Sequence, residues 1–271
     1  MTDVPKINTN IFFFIFMSGI LKMNTQRTSL IFLPGLFAGG WIWEGVVRLF
    51  DKNEVEIFTF EHAIPKAFKG NFQIAKLRLD ELIASSTSKP YLIGNSMGAL
   101  ISLHYANVCP EKISGVILSG SPGLNEMDVG IALNELRTGK VEFASRLANR
   151  VFYDKSLVPE RGISEIAALF SDKQIFGHLV RWLSFSRRYD IFGACASLVT
   201  PVHGIWGDHD LITPVQGWQV LAEQLSTLSI DVIPQCGHSP MLENPEAFYL
   251  SLTHAIHKMQ DINAERVTHY A

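Results

Sequence analysis

The sequence predicts an α/β fold: a mainly parallel sheet with helices on both faces and a helical segment inserted near the middle of the chain. Three observations carry this. Short apolar runs alternate with stretches of helical spacing in both flanking parts of the chain, the pattern of strand-helix-strand units. Between about Pro122 and Leu198 that alternation stops, and only helical spacing is found. Finally, the apolar run Tyr91-Leu92-Ile93 ends in Gly94-Asn95-Ser96-Met97-Gly98 and passes straight into a helix-spaced stretch.

The flanking parts, residues 29–121 and 199–271, make the core, and residues 122–198 the insertion. In order, Ser29 to Leu33 is a buried strand, Trp43 to Phe50 a short helix and Val55 to Phe60 a second strand. Phe72 to Ala84 sets Ala75, Leu79, Leu82 and Ile83 against Lys76, Arg78, Asp80 and Glu81, an amphipathic helix. The strand into Ser96 is followed by a helix over Met97 to Val108 and a strand over Ile113 to Leu118. The insertion has helical spacing over Val129 to Leu136, Phe143 to Val151, Ile163 to Phe170 and Ile175 to Phe185. Placed just past a strand end, it is expected to cap the site. Strand and helix then return over Pro201 to Trp206, Val215 to Leu225, Ile230 to Ile233 and Ala247 to Met259.

Composition bounds the function. A chain of 271 residues can bury one large core, and 47% hydrophobic content with a net charge of -3 describes an ordinary globular protein, not a nucleic-acid binder. Cys109, Cys195 and Cys236 are widely spaced with no C-x-x-C pair, so neither a disulfide framework nor a zinc site is expected, and the compartment is expected to be reducing and cytoplasmic. Within residues 1–28, the unbroken apolar run from Ile11 to Phe16 is far short of the roughly 20 residues a membrane span takes. Its aromatic and β-branched content predicts a strand hairpin, with a membrane-adhering segment, or an upstream extension ahead of a start at Met17 or Met23, the other readings.

The chemistry gathers at the strand ends. A strand-to-helix turn as tight as that at Ser96 leaves no room for side chains two residues before and after its apex, which explains Gly94 and Gly98. Ser96 is thereby held at an exposed, strained point beside a helix start, the nucleophile-elbow arrangement. A lone G-x-S-x-G is a weak signal; a carboxylate and a base in the right order strengthen it. After Trp206 comes Gly207-Asp208-His209-Asp210, with two carboxylates, and after the last strand comes Cys236-Gly237-His238-Ser239-Pro240. Serine, aspartate and histidine therefore follow in the nucleophile-acid-base order that this elbow uses. Asp208, His209 and Asp210, and likewise His254 and His257, lack further ligands at suitable spacing, so no metal is expected.

Together L-P-G-L-F-A-G-G-W (Leu33 to Trp41), G-N-S-M-G, W-G-D-H-D-L-I-T-P (Trp206 to Pro214) and C-G-H-S-P-M-L-E-N-P (Cys236 to Pro245) make the chain resemble the α/β-hydrolase superfamily, from about Ser29 to Gln260. Within it the chain is similar to the small capped enzymes: bacterial carboxylesterases, pimeloyl-carrier methyl ester esterases and carbon-carbon hydrolases of meta-cleavage pathways. The resemblance implies Asp210 as the acid, being the last aspartate of G-x-x-D, with Glu126 or Asp128 the rarer placement. It implies the backbone N–H groups of Leu36 and Met97 as the oxyanion site, with Phe37 next in line, and Pro34 stands where many relatives carry histidine. Ser96 sets aside relatives with an aspartate nucleophile, and Ala99 stands where those handling dicarboxylated menaquinone precursors place arginine. Phe37, Trp41, Phe143 and Trp182 are the expected walls of an apolar substrate pocket. The resulting expectation is a serine hydrolase acting through Ser96, Asp210 and His238 on an ester or thioester of an apolar acyl group, free or carrier-bound, with no cofactor and no nucleic-acid or membrane partner. Carbon-carbon bond hydrolysis and a non-catalytic ligand receptor are the alternatives.

Overall fold

The computed structural model describes residues 27–124, 135 and 138–269. Six strands, β1 (Thr28–Leu33), β2 (Val55–Thr59), β3 (Tyr91–Asn95), β4 (Gly115–Ser119), β5 (Val202–Gly207) and β6 (Leu228–Ile233), form one sheet in the order β2-β1-β3-β4-β5-β6. Every neighbouring pair is parallel. Side chains alternate across the pleat, so Ile31, Leu33, Leu92, Val116 and Leu118 join one apolar cluster while Leu30, Phe32, Ile93 and Ile117 join another on the opposite face. Both faces are covered, which is why these strands read as continuous apolar runs rather than alternating ones.

Helices supply the covering. A 3-10 turn at Gly40–Trp43 leads into α1 (Glu44–Val47); then come α2 (Ile64–Phe68), α3 (Phe72–Ser85) and α4 (Met97–Val108). Asn71 caps α3 by accepting from Gln73 N at 2.8 Å, and Ala75 and Leu79 are its fully buried positions. Between β4 and β5 lie α5 (Val141–Val151), α6 (Glu160–Ser171), α7 (Lys173–Arg187) and α8 (Ile191–Ala196), with no strand among the described residues. The chain ends through α9 (Val215–Gln224), α10 (Pro240–Glu243) and α11 (Pro245–His269). Trp43 of the 3-10 turn, Val46 of α1 and Phe248, Leu252 and Ile256 of α11 pack the second face.

The strands match expectation to within two residues, but three helices were not foreseen. α2, α8 and α10 have six residues or fewer, too few to display a period of 3.6. The helix expected over Trp43 to Phe50 is a 3-10 turn and one turn of α-helix. Thr28, grouped with the N-terminal segment, is the first residue of β1. The hairpin expected before it, the helix over Val129 to Leu136 apart from Glu135, and Glu126 and Asp128 lie outside the described residues.

This topology places a crevice. From β1 the chain moves outward to β2, then crosses back to β3 on the other side of β1. The loops after β1 and β3 therefore part at the C-terminal edge of the sheet, where ligands bind in open α/β sheets. Leu36 lies on the first of these loops and Ser96 on the second.

Candidate active site

β3 ends at Asn95 and α4 begins at Met97, so Ser96 alone makes the turn, with φ 54° and ψ -121°. A positive φ is costly for a residue with a Cβ and persists only where the surroundings enforce it. Here they do. A Cβ on Gly98 would lie 2.3 Å from Pro34 O, and one on Gly94 would lie 2.4 Å from the Gly98 carbonyl. Ser96 N donates to Ser119 O at 2.8 Å, tying the turn to the end of β4, while Ser96 O accepts from Ala99 N and Leu100 N.

The aspartate and histidine meet behind it. Asp210 Oδ1 accepts from Ile212 N at 2.8 Å and Thr213 N at 2.9 Å; Oδ2 accepts from the Thr213 hydroxyl at 2.9 Å and pairs with His238 Nδ1 at 2.9 Å. Burial opposes the Asp210 charge, but the His238 ring and these donors outweigh it and hold the carboxyl below the usual range. An ionised carboxylate can only accept, and the Thr213 proton is already given to Oδ2. Nδ1 therefore carries a proton, and Nε2 of the neutral ring is the free acceptor. Thr213 Oγ1, 3.2 Å from Nδ1, shares that proton. Gly120, at φ 57° just past β4, lets the ring approach: a Cβ there would stand 2.7 Å from His238 Nδ1 and Cε1.

Ser96 and His238 open into one cavity, partly open to solvent. Leu36, Phe37, Trp41 and Ile42 line it from the side of β1; Ala148, Val151 and Phe152 line it from the end of α5; Val158, Gly162 and Ile166 line it from α6 and the residues before it. Its walls are apolar, with polar groups concentrated where Ser96 and His238 sit. Met97 is the first residue of α4, so its N–H is one of the donors that a helix start leaves unpaired. Leu36 N, like Met97 N, makes no loop or turn hydrogen bond to backbone among the described residues.

Residues 30–249 match the model of the alpha/beta hydrolase family, most of the chain. The chain belongs to the α/β-hydrolase family. Curated relatives include monoacylglycerol lipase ABHD6 of Mus musculus, 23% identical over 81% of this chain and 73% of that one. Another is pimeloyl-[acyl-carrier protein] methyl ester esterase of Wigglesworthia glossinidia brevipalpis, 29% identical over 87% of this chain and 96% of that one. Among solved structures, 2-hydroxy-6-oxo-6-phenylhexa-2,4-dienoate hydrolase of Rhodococcus sp. strain RHA1 superposes with a TM-score of 0.70 at 18% identity, covering 86% and 92% of the two chains. At that identity the likeness is one of fold.

In this α/β-hydrolase, Asp208 points away from His238: its Oδ1 lies 2.6 Å from His209 Nδ1 and 3.3 Å from Cys236 N. Phe37 and Trp41 line the cavity beside Ser96, whereas Phe143 and Trp182 do not. Trp182 is 1% exposed, edge-on to Phe185 within the packing of α7, and Phe143 packs on the core beneath Arg146. Both were expected as pocket walls for their aromatic character, but they pack toward other helices. Three site-building residues went unnoticed in the sequence: Thr213, Gly120 and Glu243. Glu243 Oε1 accepts from Gly237 N at 2.6 Å, and Oε2 accepts from Tyr153 N at 2.8 Å and Asp154 N at 2.9 Å. Together with His238 N donating to Val151 O at 2.7 Å, this binds the histidine loop to the end of α5. Burial pushes the Cys195 and Cys236 thiols up to about 12, so neither is a ready nucleophile. Among the described residues no helix is long and apolar enough to cross a membrane, and no three His, Cys, Asp or Glu side chains group as metal ligands.

Proposed function

We propose that this α/β-hydrolase is a serine hydrolase that cleaves a carboxylic ester or thioester of a mainly apolar acyl group, with Ser96 as nucleophile, His238 as base and Asp210 as its orienting acid. The observation that carries the reading is the buried Asp210–His238 pair, whose free Nε2 shares one apolar cavity with a serine held on a strained turn. Relatives named as a lipase and as a methyl ester esterase support the reaction class. Among the described residues no hydrogen bond joins Ser96 Oγ to the ring; contacts of this kind commonly tighten only when substrate is bound.

The mechanism follows from those roles. As Ser96 Oγ attacks the acyl carbon, His238 Nε2 takes its proton, and the imidazolium formed is stabilised across 2.9 Å by Asp210. The carbonyl π electrons move onto oxygen, and the N–H groups of Leu36 and Met97 receive the negative charge. Collapse of the tetrahedral intermediate expels the alcohol or thiol, protonated by His238. Water, deprotonated by the same nitrogen, then releases the acid and regenerates Ser96. The helices α5 and α6 act as a cap in this reading, closing the cavity over the acyl chain and excluding water.

The test is hydrolysis of p-nitrophenyl esters of increasing acyl length by the wild type and Ser96→Ala, with intact-mass measurement after fluorophosphonate treatment. Labelling and turnover that both vanish in Ser96→Ala support the assignment, with a loss of roughly a million-fold as for other triad nucleophiles. Labelling without ester turnover turns the substrate class toward carbon-carbon or carrier-bound compounds. Turnover that survives Ser96→Ala refutes it.

A further inference from the structure

Glu165 of α6 reaches from the insertion to the loop after β1. Its Oε2 accepts two hydrogen bonds, from Gly39 N at 3.1 Å and from Trp41 Nε1 at 2.8 Å. Its other oxygen accepts from Arg161 Nε at 3.0 Å, and the Arg161 guanidinium lies over the Trp41 ring, 5.2 Å from its centroid. The first bond fixes the loop three residues beyond the Leu36 amide. The second fixes the rotation of an indole that forms a wall of the cavity, against α6 at Gly162, where an added Cβ would lie 3.5 Å from the ring. One oxygen atom therefore sets both the donor loop and the depth of the apolar space, and it comes from the helix that closes the cavity.

We propose that Glu165 is a positioning residue that couples seating of the insertion to the oxyanion loop and, through Trp41, sets which acyl lengths the cavity accepts; this rests on the serine-hydrolase reading above. Acceptance by Oε2, rather than charge, is what holds the loop and the indole, because Gly39 and Trp41 are neutral donors sharing that one oxygen; the Oε1–Arg161 ion pair is solvent-exposed, with Arg161 56% and Glu165 32% exposed, and adds little. Glutamine retains that oxygen and alanine does not. Glu165→Gln is therefore expected to keep the wild-type profile. Glu165→Ala is expected to lower kcat about tenfold on the shortest ester, less than the 10²–10³ lost with a whole oxyanion donor. Glu165→Ala should also shift the ratio of kcat/KM for octanoyl over butyryl esters at least about fivefold, within what one or two methylenes are worth in an apolar pocket. A merely structural contact would lower the amount of folded enzyme without moving that ratio.

The experiment pairs this kinetic series with the indole N–H resonances of ¹⁵N-tryptophan-labelled protein, that of Trp41 assigned by its absence in Trp41→Phe. Slow solvent exchange of the Trp41 indole proton in wild type and Glu165→Gln, fast exchange in Glu165→Ala and a shifted length ratio in Glu165→Ala alone are the expected results. An unchanged ratio and kcat in Glu165→Ala overturns the proposal, as does a Glu165→Gln variant as impaired as the alanine. The indole measurement needs no turnover. A wild type with neither Ser96-dependent labelling nor hydrolysis would thus end the serine-hydrolase reading, while indole exchange unaltered by Glu165→Ala would end the positioning role on its own.

Discussion

Replacing Thr213 by valine removes one hydroxyl from the most buried polar contact of the site and leaves the side-chain outline almost unchanged. Asp210 has four partners: the amides of Ile212 and Thr213, the Thr213 hydroxyl and His238 Nδ1. The Asp210 side chain is 1% exposed, so water cannot replace the lost donor. A hydrogen bond to a charged group contributes about 1.5–3 kcal/mol to stability, and valine leaves the charge in place with three partners. We expect a loss of about 2 kcal/mol, or roughly 4–8 °C in Tm for a domain of this size. Catalysis suffers less than stability, because Nδ1 keeps its bond to Oδ2: a loss of about 1.4 kcal/mol in the transition state corresponds to a tenfold fall in kcat. Thermal unfolding and kcat on p-nitrophenyl butyrate, with Thr213→Ser restoring both, form the assay. A Thr213→Val protein with wild-type Tm and kcat would refute the claim that this hydroxyl holds the carboxylate.

Asp210→Asn should lower kcat by about four orders of magnitude, since an amide in place of the carboxylate favours the wrong histidine tautomer, whereas Asp208→Asn should stay within a few-fold of wild type; inverted results in the same ester assay would move the acid. Gly120→Ala would drive a methyl group toward His238 Nδ1 and impose a positive φ on alanine, so kcat should fall with little change in KM, and stability by about 1–3 kcal/mol; wild-type kinetics would show that the ring does not need this approach. Burial holds His104 and His203 below their usual value of 6.5, His203 despite the opposing pull of Asp231. The unfolded chain therefore binds these protons first, and the stability of the neutral buried rings is complete above about pH 6.5 and declines as the pH falls below it. Urea midpoints at about pH 7.5 and 5.5 should differ accordingly, with a smaller difference in His203→Gln; a flat profile across that window would contradict it.

The parallel sheet was legible because burial on both faces leaves apolar runs that alternation with helices confirms, and the run into Ser96 could be placed to within two residues. Gly94 and Gly98 were interpretable for the same reason: a tight turn excludes side chains by sterics alone, and sequence records that exclusion directly. Choosing between Asp208 and Asp210 was a different matter. Two residues apart on one loop, they differ only in which way the chain turns, and Ile212 N and Thr213 N, which draw Asp210 inward, are backbone groups that no side-chain pattern reports.

The walls of the cavity were the least legible part, and the hydrogen bonds say why. What places α5 over His238 is a backbone bond, His238 N to Val151 O, together with a carboxylate that gathers three amides, from Tyr153 and Asp154 on one segment and Gly237 on another. What places α6 over Trp41 is likewise a carboxylate, Glu165, taking an amide and an indole across about 125 residues. In sequence each of these acids looks like a solvated position on a helix face, because hydropathy cannot distinguish an acid facing water from one receiving N–H groups of a distant segment. An apolar wall residue such as Ile166 can change size at the cost of local packing, but Glu165 and Glu243 fix where whole helices sit relative to Ser96 and His238. Substrate range in this α/β-hydrolase should therefore respond more steeply to those two acids than to any single aromatic side chain of the insertion.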